Sequence, residues 1–311
     1  MAENPLYRGI IPPLATPLLT QNSLDMPGLE RLIEHTLEGG VHAVLILGTT
    51  GEAPSLSREL RLEMIRASCH LVRERVPILV GVMDTSFMEA VNTGHAAAEA
   101  GASALLIAPP YYFTYSQRDL LSYVELLGAE LTLPFLLYNI PQYTKIGYSV
   151  ETVAQACRMQ PVIGIKDSSG DMPYLRRVIV EVTNRPDFAV LIGPEEKLVE
   201  GLRAGASGGV CGGANVFPRT FTQIYEAAVR ADWLEAERLQ QLVCEASAAL
   251  YQTGDSESSY LRGLKTALAL EGICSDLPAL PFNRFSAAER EAIERGLARV
   301  GSALNSDSVI T

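Results

Sequence analysis

Residues 134–182 read PFLLYNIPQYTKIGYSVETVAQACRMQPVIGIKDSSGDMPYLRRVIVEV. Two apolar runs, PFLLYNIP from Pro134 and VIGIKDS from Val162, are continuous rather than alternating. That pattern suits strands covered on both faces, as in a parallel sheet. After each run comes a helical pattern, Val150 to Met159 and Tyr174 to Val182. Strand, helix, strand, helix is the repeat of a right-handed crossover unit.

The same alternation extends in both directions. Further apolar runs start near Gly9 (GIIPPLATPL), Ala43 (AVLILG), Pro77 (PILVGVM), Ala104 (ALLIAPP), Ala189 (AVLIG) and Gly208 (GGVCGG). Helical patterns cover Leu29 to Glu38, Arg58 to Glu74, Met88 to Ala100, Asp119 to Leu131, Lys197 to Ala204 and Arg219 to Val229. Ser57 and Ser116 are placed to cap two of them, and Gly39-Gly40, Gly101 and Gly205 to end others. Eight such units close into a (β/α)8 barrel; an open doubly wound sheet is the competitor, but no GxGxxG turn is present. The expected barrel spans 1–231. A C-terminal α-helical extension, 232–311, follows, with helices around Trp233 to Tyr251, Ser259 to Glu271 and Ala287 to Val300. The tail from Asn305 to Thr311 is expected to fray.

Composition narrows the function. The 311 residues carry a formal net charge of -11, which disfavours nucleic acid as a partner. No apolar run approaches a membrane span, and no basic segment followed by an apolar stretch opens the chain. The five cysteines, Cys69, Cys157, Cys211, Cys244 and Cys274, form no CxxC pair and suit a reducing cytoplasm. His35, His42, His70 and His95 show no HxH or HExxH spacing, so no metal site is expected. Cys211 reads as a small buried hydrophobe.

In a barrel, chemistry gathers at the C-terminal ends of the strands. Lys166 is unusual there, because it continues the buried run Val162-Ile163-Gly164-Ile165 and an isolated buried ammonium is costly. One reading is a Schiff-base nucleophile. With a free-lysine pKa near 10.4, only about one lysine in 2,500 is neutral at pH 7, and desolvation raises that fraction. The other reading is a lysine paired with Asp167 or another carboxylate in the barrel mouth. Tyr138 ends the neighbouring strand and is either a proton shuttle or a half-buried core tyrosine. Thr49 and Thr50 lie in a Gly-flanked turn, either to hold a carboxylate or simply to close the turn.

GTTGE (48–52), PPYY (109–112), YNIP (138–141) and GIKDSSGD (164–171), in this order on successive strand ends, resemble the dihydrodipicolinate synthase / N-acetylneuraminate lyase family. The resemblance runs from Gly9 to about Ala231, with a looser helical tail. It implies a (β/α)8 barrel, usually in a homotetramer built as a dimer of dimers. It implies class I aldolase chemistry on pyruvate or another 2-oxo acid and an aldehyde, without metal or cofactor beyond a covalent lysine imine. By position, Lys166 would form the imine and Tyr138 would relay protons. Thr49 and Thr50 would bind the pyruvyl carboxylate, with Thr50 also in the relay. Tyr112 would complete a neighbouring subunit's site, and Gly193 and Val210 would lie against the substrate.

Two departures bear on the substrate. Dihydrodipicolinate synthases carry an Arg two residues beyond the Pro of YNxP; here that position is Tyr143, with Lys145 two residues further on. A phenol cannot supply the charged fork that holds a carboxylate. Sialic acid lyases carry two acids where Gly193-Pro194-Glu195-Glu196 stands. Glu195 and Glu196 would then meet sugar hydroxyls, or else they are ordinary acids of a helix first turn. Gly212 and Gly213 are expected to leave room for a larger substrate. The expectation is a lyase for aldol cleavage or condensation, or a related dehydration, of a 2-keto-3-deoxy acid. The alternatives are 4-hydroxy-tetrahydrodipicolinate synthesis from pyruvate and aspartate semialdehyde, and a non-catalytic 2-oxo-acid-binding barrel.

Overall fold

The computed structural model describes residues 7–254 and 258–306. Its eight parallel barrel strands are β1 (Gly9–Ile10), β2 (Val44–Ile46), β3 (Ile78–Val82), β4 (Ala104–Ile107), β5 (Phe135–Asn139), β6 (Val162–Asp167), β7 (Ala189–Ile192) and β8 (Gly208–Gly209). Neighbours in sequence are neighbours in space, and β8 pairs with β1. Closure between β1 and β2 rests on a parallel bridge at Pro13 and Leu45, with Leu14 N–H donating to Leu45 O at 2.7 Å.

The first apolar run is not one long strand. Pro12 and Pro13 lack N–H groups, so the ladder breaks after Ile10 although residues 11–16 stay buried. Its end folds into a small hairpin, Leu18–Thr20 against Ser23–Leu24, that the run of apolar letters conceals. Strand β8 is equally short. A Cβ at Gly208 would strike the Gly9 backbone, so glycine is what lets β8 and β1 approach.

Helices α1 to α8 follow the strands: Met26–Glu38, Arg58–Val72, Phe87–Glu99, Gln117–Glu130, Val150–Ala156, Met172–Glu181, Leu198–Ala204 and Pro218–Val229. Ser57 caps α2 by accepting from Leu60 N–H, and Ser116 with Asp119 forms a reciprocal capping box on α4. Three more helices, α9 (Trp233–Tyr251), α10 (Ser259–Leu270) and α11 (Ala287–Ser306), complete the chain. Asn305 and Ser306 continue α11 instead of fraying, and residues 307–311 of the expected tail lie outside the described residues.

The core has two parts. Phe135, Leu137 and Ile165 face outward into the layer between strands and helices. Leu45, Leu79, Leu106, Leu136, Tyr138 and Leu191 fill the barrel interior. The period of two along β5 and β6 therefore turns Tyr138 and Lys166 inward and Asn139 and Asp167 outward.

Candidate active site

Tyr138 and Lys166 are direct register partners on β5 and β6. The Lys166 ammonium lies 4.2 Å from the centre of the Tyr138 ring. Both side chains are buried, at 4% exposure for Lys166 and 2% for Tyr138. Pairing with Asp167 does not occur, because alternation sends that carboxylate to the other face. There it accepts from Asn139 Nδ2 at 2.7 Å and from Ser169 Oγ at 3.0 Å. Burial raises the Asp167 pKa against these bonds. Among the described residues Lys166 forms no ion pair, and its contact is the face of Tyr138.

The turn after β2 approaches this pair. Thr49 Oγ1 lies 3.2 Å from the Tyr138 hydroxyl. Thr50 Oγ1 lies 2.9 Å from the hydroxyl of Tyr260, a residue of α10. The relay was expected of Thr50; the hydroxyl beside Tyr138 is that of Thr49, and Thr50 meets Tyr260 instead. The turn is anchored from behind: Thr16 Oγ1 donates to Gly51 O at 2.7 Å, and the Glu52 carboxylate accepts from Ala279 N–H at 2.8 Å and from Lys265. Glu52 and Lys265 are a fully buried ion pair, and Glu52 holds a left-handed φ of 55°.

Thr49, Thr50, Tyr138, Tyr143, Lys166, Gly193, Glu195, Glu196 and Val210 line one cavity of about 220 Å³ at the strand ends. It also touches Tyr251 and Tyr260 from the C-terminal helices, and among the described residues Lys166 is its one basic lining residue. Lys145 is exposed and does not line it. Tyr112 is not brought in; it is 79% exposed and packs edge-on against Phe113.

Glu195 and Glu196 sit in a short turn of 3-10 helix, Glu195–Lys197, before α7. Glu195 is buried and accepts from Gly213 N–H at 2.7 Å. Burial pushes its pKa up to about 7, opposed by the Gly213 bond and by a hydrogen bond from Tyr251, and aided by the Glu196 charge. Glu196 accepts from Ser247 Oγ. The room expected at Gly212 and Gly213 is already taken: a Cβ on Gly212 would collide with the Tyr260 hydroxyl, and one on Gly213 would meet Glu195 Oε1 at 2.8 Å. Cys211 is fully buried, as a small buried hydrophobe would be, and desolvation pushes its thiol pKa up.

Tyr251 and Tyr260 escape a reading of the sequence, because they fall in helical patterns carrying no chemical motif. Their partners, Glu195 and Thr50, are about 56 and 210 positions away along the chain. Among the described residues no three His, Cys, Asp or Glu side chains gather as a metal would require. No described helix is long and apolar enough to cross a membrane.

A barrel with an inward lysine at the end of β6, flanked by an inward tyrosine on β5, has the arrangement that imine-forming lysine chemistry calls for. Comparison with known proteins gives the family. A model of the dihydrodipicolinate synthetase family matches residues 6–299, and the chain belongs to that family. A 4-hydroxy-tetrahydrodipicolinate synthase of Salinibacter ruber is 34% identical over 256 residues, 81% of this chain and 84% of the relative. The solved structure of dihydrodipicolinate synthase from Bacteroides thetaiotaomicron is 48% identical, with a TM-score of 0.93 over 96% of this chain and 99% of that one. A prophage protein of the family from E. coli K12, solved in complex with pyruvate, is 28% identical, with a TM-score of 0.90 over 95% and 99% of the two chains. The protein is an enzyme, a lyase of the aldolase type.

Proposed function

We propose that Lys166 forms an imine with pyruvate or another 2-oxo acid, and that the reaction is reversible aldol cleavage of a substrate whose far end is hydroxylated rather than anionic. The neutral Lys166 amine adds to the 2-oxo carbon; with one proton taken up, the carbinolamine hydroxyl leaves as water and a protonated imine remains. In cleavage, the C4 hydroxyl loses its proton and the C3–C4 bond breaks. Its electron pair flows into the imine as an enamine and the aldehyde departs. Protonation at C3 and hydrolysis then release the 2-oxo acid and restore the lysine. The imine is the electron sink, so the reaction calls for no further cofactor. Tyr138, with Thr49 hydrogen-bonded to it, carries protons to and from these centres. Thr49 and Thr50 hold the carboxylate, with Gly193 and Val210 beside the substrate.

The observation that supports this tail is the charge of the cavity wall. Among the described residues Lys166 is the one basic side chain lining it, and Glu195 and Glu196 line the same cavity. A second carboxylate would meet acids and the Tyr143 phenol; hydroxyls would meet acceptors. The wider cavity of about 470 Å³ that shares Thr49, Ile140, Tyr143 and Tyr260 adds no basic residue among the described ones. The second reading, 4-hydroxy-tetrahydrodipicolinate synthesis, draws on the names of the relatives. Turnover of pyruvate with glyceraldehyde-type hydroxyaldehydes, run beside aspartate semialdehyde, separates the two. Faster turnover of aspartate semialdehyde would replace the first reading with the second.

The exposed Tyr112 fits a role in a neighbour's site within a homotetramer built as a dimer of dimers. Five unpaired cysteines suit a reducing cytoplasm.

A further inference from the structure

The C-terminal helices are not only packing. Helix α10 carries two side chains that hold the turn Gly48–Glu52: Tyr260 reaches Thr50, and five residues on Lys265 reaches Glu52. Only the first faces the cavity.

We propose that Tyr260 is a positioning residue for recognition of the 2-oxo acid carboxylate: its phenol donates to Thr50 Oγ1, which leaves the Thr50 proton free to point at the bound anion. This rests on the reading of Lys166 as the imine-forming group.

The geometry fixes the pair tightly. The two oxygens are 2.9 Å apart, and this is the hydrogen bond of each side chain among the described residues. A hydrogen bond between two hydroxyls uses one proton, so one partner must give and the other keeps its proton for another acceptor. A phenol, with a pKa near 10, is a much stronger donor than an aliphatic hydroxyl. Burial and the nearby Glu195 carboxylate raise the Tyr260 pKa further, so it stays a neutral donor. The ring has little freedom to leave. Its edge packs against Tyr251 with ring centres 4.8 Å apart, and its hydroxyl fills the space that a side chain on Gly212 would need. Tyr251 is tied to Glu195, which is tied to the Gly213 N–H. The end of β8, the acidic turn after β7 and the C-terminal helices thereby converge on the orientation of one threonine hydroxyl.

Borohydride trapping of the pyruvate imine on Lys166, followed by peptide mass mapping, reads this directly as a half-saturating pyruvate concentration and a maximal rate. Tyr260→Phe keeps the ring and removes the donor. It is expected to raise half-saturation about tenfold, as for loss of a bond serving an ion, with the maximal rate changed less than about threefold. Gly212→Ala, whose Cβ would push the Tyr260 hydroxyl aside while leaving the phenol in place in the sequence, is expected to raise half-saturation likewise. In a Thr50→Val background Tyr260→Phe should add nothing further, since its effect runs through that hydroxyl. Unchanged half-saturation in Tyr260→Phe, or losses that add independently of Thr50→Val, would overturn the proposal while leaving the imine chemistry standing. Absence of a Lys166 adduct in the parent protein would remove both.

Discussion

Lys166 and Tyr138 are paired residue against residue on adjacent parallel strands, both facing into the barrel, with the ammonium 4.2 Å from the ring centre. The next pair along the same two strands, Asp167 and Asn139, faces the opposite way and bonds to itself at 2.7 Å. One shift of register on β6 would exchange the two faces. It would place a carboxylate in the site and bury the lysine among the helices. The continuous run from Val162 and the buried Asn139–Asp167 link are what hold the lysine where it is.

Tyr138→Phe is expected to lower kcat by about a hundredfold to a thousandfold, the range for a lost proton shuttle, while the Lys166 adduct still forms. Steady-state kinetics and borohydride trapping on the same preparation check it. A variant that loses the adduct and kcat together would make Tyr138 a determinant of lysine placement rather than a proton carrier.

Glu195 gives a pH signature in stability. Its pKa is raised to about 7 in the folded protein, so between the unfolded value and about 7 the folded state holds the extra proton. The stabilisation is complete below the unfolded pKa and is lost as pH rises through about 7, with a slope of at most about 1.4 kcal/mol per unit. Glu195→Gln is expected to flatten that decline. Urea midpoints from about pH 5 to pH 8 for parent and variant measure it, and parallel curves would show that Glu195 does not carry the effect.

Lys265→Met would leave Glu52 buried without its cation beside Thr49 and Thr50. Breaking such a pair from one side costs about 3–5 kcal/mol. The expected outcome is a large loss of stability in denaturant titration, with the double variant Lys265→Met/Glu52→Gln recovering part of it. No loss in the single variant would mean the pair does not anchor the turn.

Tyr143→Arg tests the substrate reading. An arginine at this cavity-lining position can hold a second carboxylate, so kcat/KM for aspartate semialdehyde should rise by about tenfold or more. Equal values for parent and variant would show that this position does not select the aldehyde.

Strands β2 to β7 were legible because each is a continuous apolar run, and the helices because they repeat with their own period, several behind a Ser or Asp cap. Lys166 was legible for a local reason, being the charge that follows such a run. Its freedom from Asp167 was also implicit in the strand period of two, which sets adjacent residues on opposite faces. What escaped is long-range. The bond from Tyr260 to Thr50 spans 210 positions and depends on where a C-terminal helix docks over the barrel mouth. The same docking fills the space beside Gly212, while Glu195 and Phe221 fill that beside Gly213. The division of labour between Thr49 and Thr50 turns on side-chain direction in an irregular turn, where no period applies. The hairpin after Pro17 was hidden because Leu18 belongs to the same apolar run as the barrel strand.

Borohydride reduction in the presence of pyruvate, with the modified peptide identified by mass spectrometry, decides whether Lys166 forms the imine. A stable adduct on Lys166, and none in Lys166→Ala, is the expected result. An adduct on another lysine, or turnover of a 2-oxo acid by Lys166→Ala at the parent rate, would contradict it.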